Sequence, residues 1–145
     1  MSAHIGSGLV GQSKVVDGSA GERVLQVLTT SVARGLFALP FLVFGLTHFA
    51  FADGMAGMVP VPGGVFWIYL TGAALVAGSI GILTRRLGTW AALGLALLML
   101  TFALTVHLPG LANAASQQMS LIGLLKDTAL AGGALAWAGI FRGAR

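Results

Sequence analysis

Four long apolar stretches, separated by short breaks, constrain the fold of this chain more than any other feature of its sequence. The breaks fall at Ala52-Asp53-Gly54, at Thr84-Arg85-Arg86 and in the uncharged polar segment that follows Pro109. A helix needs roughly 20 apolar residues to cross the hydrocarbon core of a bilayer, and each stretch is about that long. Backbone groups in lipid must be paired within the segment, which favours helices. The expected fold is therefore all-α, an integral membrane four-helix transmembrane bundle.

The composition agrees with a lipid environment. Of 145 residues, 57% are hydrophobic and only 8% are charged, and the mean hydropathy is +0.92, so a soluble globule of this size would lack polar surface. We predict a flexible N-terminal tail over residues 1–21 and one membrane domain over residues 22–145. The four predicted spans cover about residues 33–52, 65–84, 87–107 and 120–141.

The basic residues predict the orientation of the chain. Those near the span ends would all lie on one side: Lys14, Arg23, Arg85, Arg86, Arg142 and Arg145. The loops on the other side, residues 53–64 and 108–119, contain no Lys or Arg. The positive-inside rule then places both termini in the cytoplasm, in a multi-pass protein of the bacterial inner (plasma) membrane. The basic residues are too scattered to indicate a nucleic-acid partner.

Ionisable residues within or at the ends of the spans are the candidates for function, because each costs about 3 kcal/mol at the bilayer centre. The candidates for ligand binding or proton relay are His48, His107, Lys126, Asp127 and Arg34. On span one, Arg34, Phe41, Gly45, His48 and Ala52 form one stripe that we expect to face the bundle interior. Arg34 and His48 lie roughly 21 Å apart along the helix axis, and the other three candidates are expected beside His48.

Each candidate also has a purely structural interpretation. Arg34 can extend to the headgroups, His107 can be an interfacial residue at a helix end, and Lys126 with Asp127 can form a neutral structural pair. No residue is assigned as catalytic or as a metal ligand. Haem ligation by the two histidines is disfavoured, since they would have to face each other at equal depth. The absence of cysteine excludes a thiol relay.

Small residues indicate how the spans pack, because close backbone approach replaces the hydrophobic drive that lipid cannot supply. We expect one packing face on span two and one on span four, built from Thr71, Ala74, Gly78 and Gly81 and from Ala129, Gly132, Gly133 and Ala136. Ser120 is the predicted N-cap of span four.

Several motifs resemble the DoxX family. They are Phe44-Gly-Leu-Thr-His48-Phe, Tyr69-Leu-Thr-Gly72, Arg85-Arg86, His107 and Leu125-Lys-Asp-Thr-Ala-Leu-Ala-Gly-Gly133, with Arg34 in the first span. The resemblance covers about residues 30–140, and its most specific part is the last motif, in which Asp127 replaces the Asn that is commoner in the family. The family is named for a subunit of an archaeal thiosulfate:quinone oxidoreductase, and its members are mostly small four-span bacterial membrane proteins.

The resemblance implies a small membrane subunit of a bacterial respiratory or redox complex that contributes to a quinone site. Its partners would be the lipid bilayer and other membrane or redox subunits, and no covalently bound cofactor or catalytic activity of the chain alone is expected. The alternative is a purely structural or assembly subunit that binds lipid and fills a gap in a larger complex. A transporter is disfavoured, since only Pro40 interrupts a span.

Overall fold

A computed structural model describes residues 19–57 and 62–144, which are helical with short turns and contain no strand. The chain divides into two compact units, Met1–Leu36 and Phe37–Arg145. The helices, in chain order, are α1 (Ser19–Ala50), α2 (Ala52–Ala56), α3 (Gly64–Thr84), α4 (Gly88–Gly110) and α5 (Gln117–Gly143).

Four of these helices, α1, α3, α4 and α5, are long and apolar enough to cross a membrane, which confirms the predicted all-α fold of a multi-pass membrane protein. Many large apolar side chains of the second unit are exposed on its outer surface, among them Leu46, Leu97, Leu125 and Ile140. A water-soluble domain would leave few such side chains together on its surface, whereas lipid solvates them.

α1 begins earlier than the predicted start of span one near residue 33. It already includes Ser19, so the predicted tail over residues 1–21 is helical from that residue, and residues 1–18 lie outside the described ranges. The first unit contains a π-helical segment, Leu28–Val32. The hydroxyls of Thr29 and Thr30 donate to carbonyls four residues earlier, so these polar side chains are satisfied within the helix.

The connection after α1 contains a further short helix. Phe51 leaves helical geometry, with φ −127° and ψ 30°, and α2 follows at once. The compact loop expected between spans one and two is thus partly helical, and residues 58–61 lie outside the described ranges. At its far end Gly63 has φ 96°, which favours glycine, and Trp67 Nε1 donates to the carbonyl of Pro62 at 2.9 Å.

α5 begins at Gln117, and Ser116 precedes it. The prediction that Ser120 is the N-cap is wrong, because Ser120 lies one turn inside the helix and is buried. Ser116 takes the position at the helix start, and its hydroxyl donates to the carbonyl of Gly110 at 3.1 Å, which fixes the connection to α4. The sequence offers two serines four residues apart, and the hydrophobic pattern does not separate them.

Glycines bring the helices of the second unit close together. A Cβ at Gly45 of α1 would lie 2.9 Å from the carbonyl oxygen of Gly72 on α3, and a Cβ at Gly72 would lie 3.0 Å from that of Gly45. The two backbones therefore touch directly. Gly78 packs against Leu95 of α4, which confirms this part of the predicted small-residue face on span two.

The predicted packing face of span four is largely wrong. Ala129, Gly132 and Ala136 are exposed, and of the predicted set only Gly133 packs against another helix, through Phe37 of α1. The buried face of α5 instead contains Gly123, Asp127, Ala131, Ala134, Ala138 and Phe141. α5 is thus rotated so that its carboxylate points away from the lipid-facing side, as the cost of a charge in hydrocarbon requires.

Candidate functional site

A cavity of about 480 Å³ lies at one end of the second unit, where α1 and α4 end and α3 and α5 begin. Its walls are mostly apolar, with Phe44, Ile68, Leu75, Met99 and Phe102 among the lining residues. Four of the five predicted candidates also line it: His48, His107, Lys126 and Asp127. The structure thus brings these four residues, from α1, α4 and α5, to one cavity.

Asp127 is the most buried ionisable side chain of the cavity, with 2% of its surface exposed. Its Oδ1 lies 3.3 Å from Lys126 Nζ. Its Oδ2 lies 3.1 Å from His107 Nε2, but the two atoms do not meet in hydrogen-bond geometry, and Oδ2 has no hydrogen-bond donor among the described residues. One carboxylate oxygen is therefore paired and the other is buried without a donor, which is a costly arrangement.

Lys126 is 43% exposed and makes two contacts around the cavity. Adjacent residues of a helix point in different directions, so the long side chain must bend to reach the carboxylate of Asp127. Its ammonium also lies 4.4 Å from the centre of the Phe44 ring, in a cation–π contact with α1. Lys126 thus neutralises Asp127 and links α5 to α1.

The position of His107 depends on two features that the sequence analysis did not identify. The residue ends a π-helical segment of α4, Ala103–His107, and such segments are frequent at functional sites. Its imidazole ring lies directly over Gly123 of α5, where a methyl group would overlap the ring. Both features bring the ring to the carboxylate of Asp127.

His48 presents a hydrogen-bond acceptor. Its Nδ1 lies 2.7 Å from the backbone carbonyl of Phe44, and a carbonyl oxygen only accepts, so Nδ1 carries the proton. In the neutral ring Nε2 is then an acceptor. The ring stacks on Phe102 of α4, with the centroids 6.4 Å apart and the planes at 15°. This contact and the close packing of Gly72 against the Cβ of His48 hold the side chain in place.

Threonines line the cavity as well, and the sequence analysis assigned no cavity role to any of them: Thr47, Thr71, Thr101 and Thr105. Each hydroxyl donates to a carbonyl three or four residues earlier in its own helix. Each hydroxyl proton is thus engaged in a hydrogen bond within the helix, and only the lone pairs of the hydroxyl oxygen remain for a ligand. Thr101 and Thr105 lie one turn apart on α4, and this spacing in the sequence indicates that the two hydroxyls share one face of the helix.

Arg34, the fifth candidate, belongs to the first unit, and Asp53 lies exposed on α2. Of the interior stripe predicted on span one, Phe41 and Gly45 are buried, whereas Ala52 is buried on α2 rather than on α1. Within residues 19–57 and 62–144 no three His, Cys, Asp or Glu side chains are grouped so that they could hold a metal ion.

The fold and the site define a class: a multi-pass α-helical membrane protein with a small, mostly apolar cavity that contains one buried carboxylate. No protein-family model, curated protein or solved structure matches the chain.

Proposed function

We propose that the cavity binds a quinone-like aromatic ligand from the membrane, and that the protein is a DoxX-like membrane subunit of a bacterial redox complex. The observation that carries this proposal is the presence of Asp127 and His48 on the wall of an otherwise apolar cavity. A quinone has an apolar ring with oxygens at opposite ends. Ligand sites of this kind combine apolar walls with a few polar groups that fix orientation.

The size of the cavity supports the same ligand class. Pockets for small molecules are typically about 300–1,000 Å³, and the cavity of about 480 Å³ holds a single substituted ring. The aromatic rings of Phe44 and Phe102 offer surfaces for stacking on that ring. Electron carriers would belong to partner subunits of the complex, and this chain would position the ligand.

We further propose that both termini face the cytoplasm of a bacterium, with the cavity in the outer half of the membrane. The support is the placement of Arg85, Arg86 and Arg142 at the helix ends away from the cavity. The chain has no cysteine, so single-cysteine variants Arg142→Cys and Asn113→Cys are clean reporters. A membrane-impermeant maleimide should label Asn113→Cys in intact cells and Arg142→Cys only after lysis, and the reverse pattern would refute this orientation.

The ligand proposal is tested by equilibrium dialysis of the purified protein in nanodiscs against tetramethyl-1,4-benzoquinone and its hydroquinone. At least one of the two forms should bind with saturable affinity. The variant His48→Phe keeps a ring against Phe102 but removes both nitrogens, and it should weaken binding about tenfold. Asp53→Asn changes an exposed carboxylate on α2 and serves as the control, with no change expected. Absence of saturable binding of both forms would rule out this function.

A second groove favours the alternative of a structural or assembly subunit. It lies between α3 and α4, has a volume of about 720 Å³ and is lined largely by small residues, including Ala77, Gly78, Gly81, Ala91 and Gly94. A helix of another membrane subunit packs well against such a surface. Under this alternative, His48→Phe would leave the assembly and turnover of the purified complex unchanged.

A further inference from the structure

We infer that the cavity selects the reduced, hydroxyl-bearing form of its aromatic ligand, a hydroquinone, over the oxidised quinone. This inference rests on the proposed function and names the chemical form that the site recognises. The two forms have nearly the same size and apolar surface. They differ in their polar ends, because a hydroquinone carries two O–H donors and a quinone carries only two carbonyl acceptors.

Asp127, which lines the cavity, carries an unpaired oxygen. Oδ2 is buried and lacks a hydrogen-bond donor in the part of the chain that the structure describes, while Oδ1 is paired with Lys126. A ligand hydroxyl would supply the missing donor in a charge-assisted hydrogen bond. A quinone carbonyl at the same place would put two acceptors against each other and leave the oxygen of Asp127 unsatisfied.

Two further kinds of polar group on the wall, the ring of His48 and the threonine hydroxyls, also offer acceptors. Nδ1 of His48 donates its proton to the carbonyl of Phe44, so Nε2 of the neutral ring is an acceptor. The four threonine hydroxyls donate within their own helices. The cavity therefore offers acceptors from α1 and from α5, and the hydroquinone brings a donor for each.

The ammonium of Lys126 is already engaged with the carboxylate. It lies between Asp127 and the ring of Phe44, and a ligand carbonyl would compete with both contacts. Nε2 of His107 lies 3.1 Å from Oδ2 without forming a hydrogen bond, and its ring is packed against Gly123. Recognition by acceptors is thus the mode that the arrangement favours.

The test compares three probes on the unaltered protein in nanodiscs, under argon: tetramethylhydroquinone, tetramethyl-1,4-benzoquinone and the hydroquinone dimethyl ether. We expect the hydroquinone to bind about tenfold or more tightly than the quinone, the fold-change expected for one hydrogen bond to a charged group. The ether keeps the ring and both oxygens but has no donor, so it should bind no better than the quinone. Equal binding of hydroquinone and ether would overturn the inference.

The variant Asp127→Asn tests the assignment to the carboxylate. The ammonium of Lys126 only donates, so the amide oxygen should take the place of Oδ1 and the amide N–H₂ that of Oδ2. An acceptor is thereby exchanged for a donor, and the preference for hydroquinone should disappear or reverse. Asp53→Asn, which changes an exposed carboxylate, should keep the preference of the unaltered protein.

The possible results separate this inference from the function on which it rests. Binding of both forms with equal affinity, or a preference for the quinone, would refute the selection and leave the ligand site standing. A preference that survives Asp127→Asn would refute the role of the carboxylate. If no form of the ligand binds, the proposed function fails as well. The ether comparison needs no variant, so it decides the question even if Asp127→Asn does not fold.

Discussion

The helices of the second unit pack differently at its two ends. The closed end, away from the cavity, is filled by buried apolar side chains such as Ala38, Ile82, Leu95 and Phe141. The cavity end leaves about 480 Å³ open and buries a carboxylate with one oxygen unpaired. Open volume and an unpaired polar atom also occur at the closed end, in the groove between α3 and α4 and at the hydroxyl of Thr89. What distinguishes the cavity end is that its unpaired atom belongs to a charged group.

The difference shows where the chain departs from the arrangement that would be most stable. Empty volume and unsatisfied polar atoms both destabilise a fold, and natural proteins keep such features mainly at functional sites. A buried charged oxygen without a donor costs more than a buried neutral hydroxyl without a partner, so Asp127 is the more exceptional of the two. Under the proposed function, a ligand in the cavity would supply the missing donor.

The largest expected effect is the loss of packing at the closed end. Leu95 is 1% exposed and fills the space beside Gly78, so Leu95→Ala leaves a hole. Such changes cost about 2–5 kcal/mol in soluble proteins. Here we expect a value near the lower limit, about 2 kcal/mol, since lipid solvates the leucine in the unfolded helix as well. The measurement is the thermal unfolding midpoint in detergent.

Leu97, which is 68% exposed on the same helix, provides the matched control. Leu97→Ala removes the same atoms from a lipid-facing position and should lower the midpoint by only a small fraction of the effect at Leu95. Equal destabilisation by the two variants would contradict the placement of Leu95 in the packed apolar core.

The second prediction concerns the cavity end. Gly123→Ala places a methyl group where the ring of His107 lies, so the ring must leave the carboxylate of Asp127. Ligand affinity measured by equilibrium dialysis should fall about tenfold, or about 1.4 kcal/mol, because the displaced ring takes up cavity volume that the ligand needs. The thermal midpoint should change much less than with Leu95→Ala, because the open cavity gives the ring room to move.

Gly132 lies on the same helix and provides the control, Gly132→Ala. Among the described residues, no atom of another helix lies within 4 Å of the position that the new methyl group would occupy. This variant should bind ligand normally and be slightly more stable, by up to about 1 kcal/mol, since alanine favours the helix more than glycine does. A loss of affinity that is equal in the two variants would show that the contact between His107 and Gly123 has no role in the site.

Much of the fold is predictable from the sequence, because a long apolar run without charge has few alternatives to a membrane-crossing helix. The rotation of a helix is less predictable. In α5 the alanines and glycines occur on all sides, so the apolar pattern does not distinguish Ala131 and Ala134, which are buried, from Ala129 and Gly132, which are exposed. Only the carboxylate of Asp127 distinguishes the inner face.

The candidate site is predictable for the same energetic reason. Ionisable groups are expensive in hydrocarbon, and this cost singles out five residues. Four of them line the cavity, His48, His107, Lys126 and Asp127, and the fifth, Arg34, does not. What the sequence does not reveal is the contact of His107 with Asp127, since it depends on a π-helical segment and on Gly123 of another helix. The pairing of two polar groups across helices requires the helix rotations, which apolar periodicity leaves open.

The smallest expected effect is that of Ser79→Ala, which removes the one buried polar contact described at the closed end. The hydroxyl of Ser79 on α3 donates to the carbonyl of Ala38 on α1 at 3.0 Å, and both residues are fully buried. Ser79→Ala should lower stability by only about 0.6 kcal/mol, the typical value between membrane helices. The carbonyl of Ala38 belongs to a helix and still accepts from the backbone N–H one turn later. The variant therefore leaves no buried polar atom without a hydrogen-bond partner.

Thr84→Ala, which removes an exposed hydroxyl bonded within α3, should change the thermal midpoint even less. A loss of several kcal/mol in Ser79→Ala would mean that the closed end depends on polar contacts as the cavity end does. The contrast between the two ends would then lie in the volume of the cavity alone. A small loss instead separates the satisfied polar contact of Ser79, which is nearly dispensable, from the unsatisfied oxygen of Asp127, for which the proposed ligand would supply a donor.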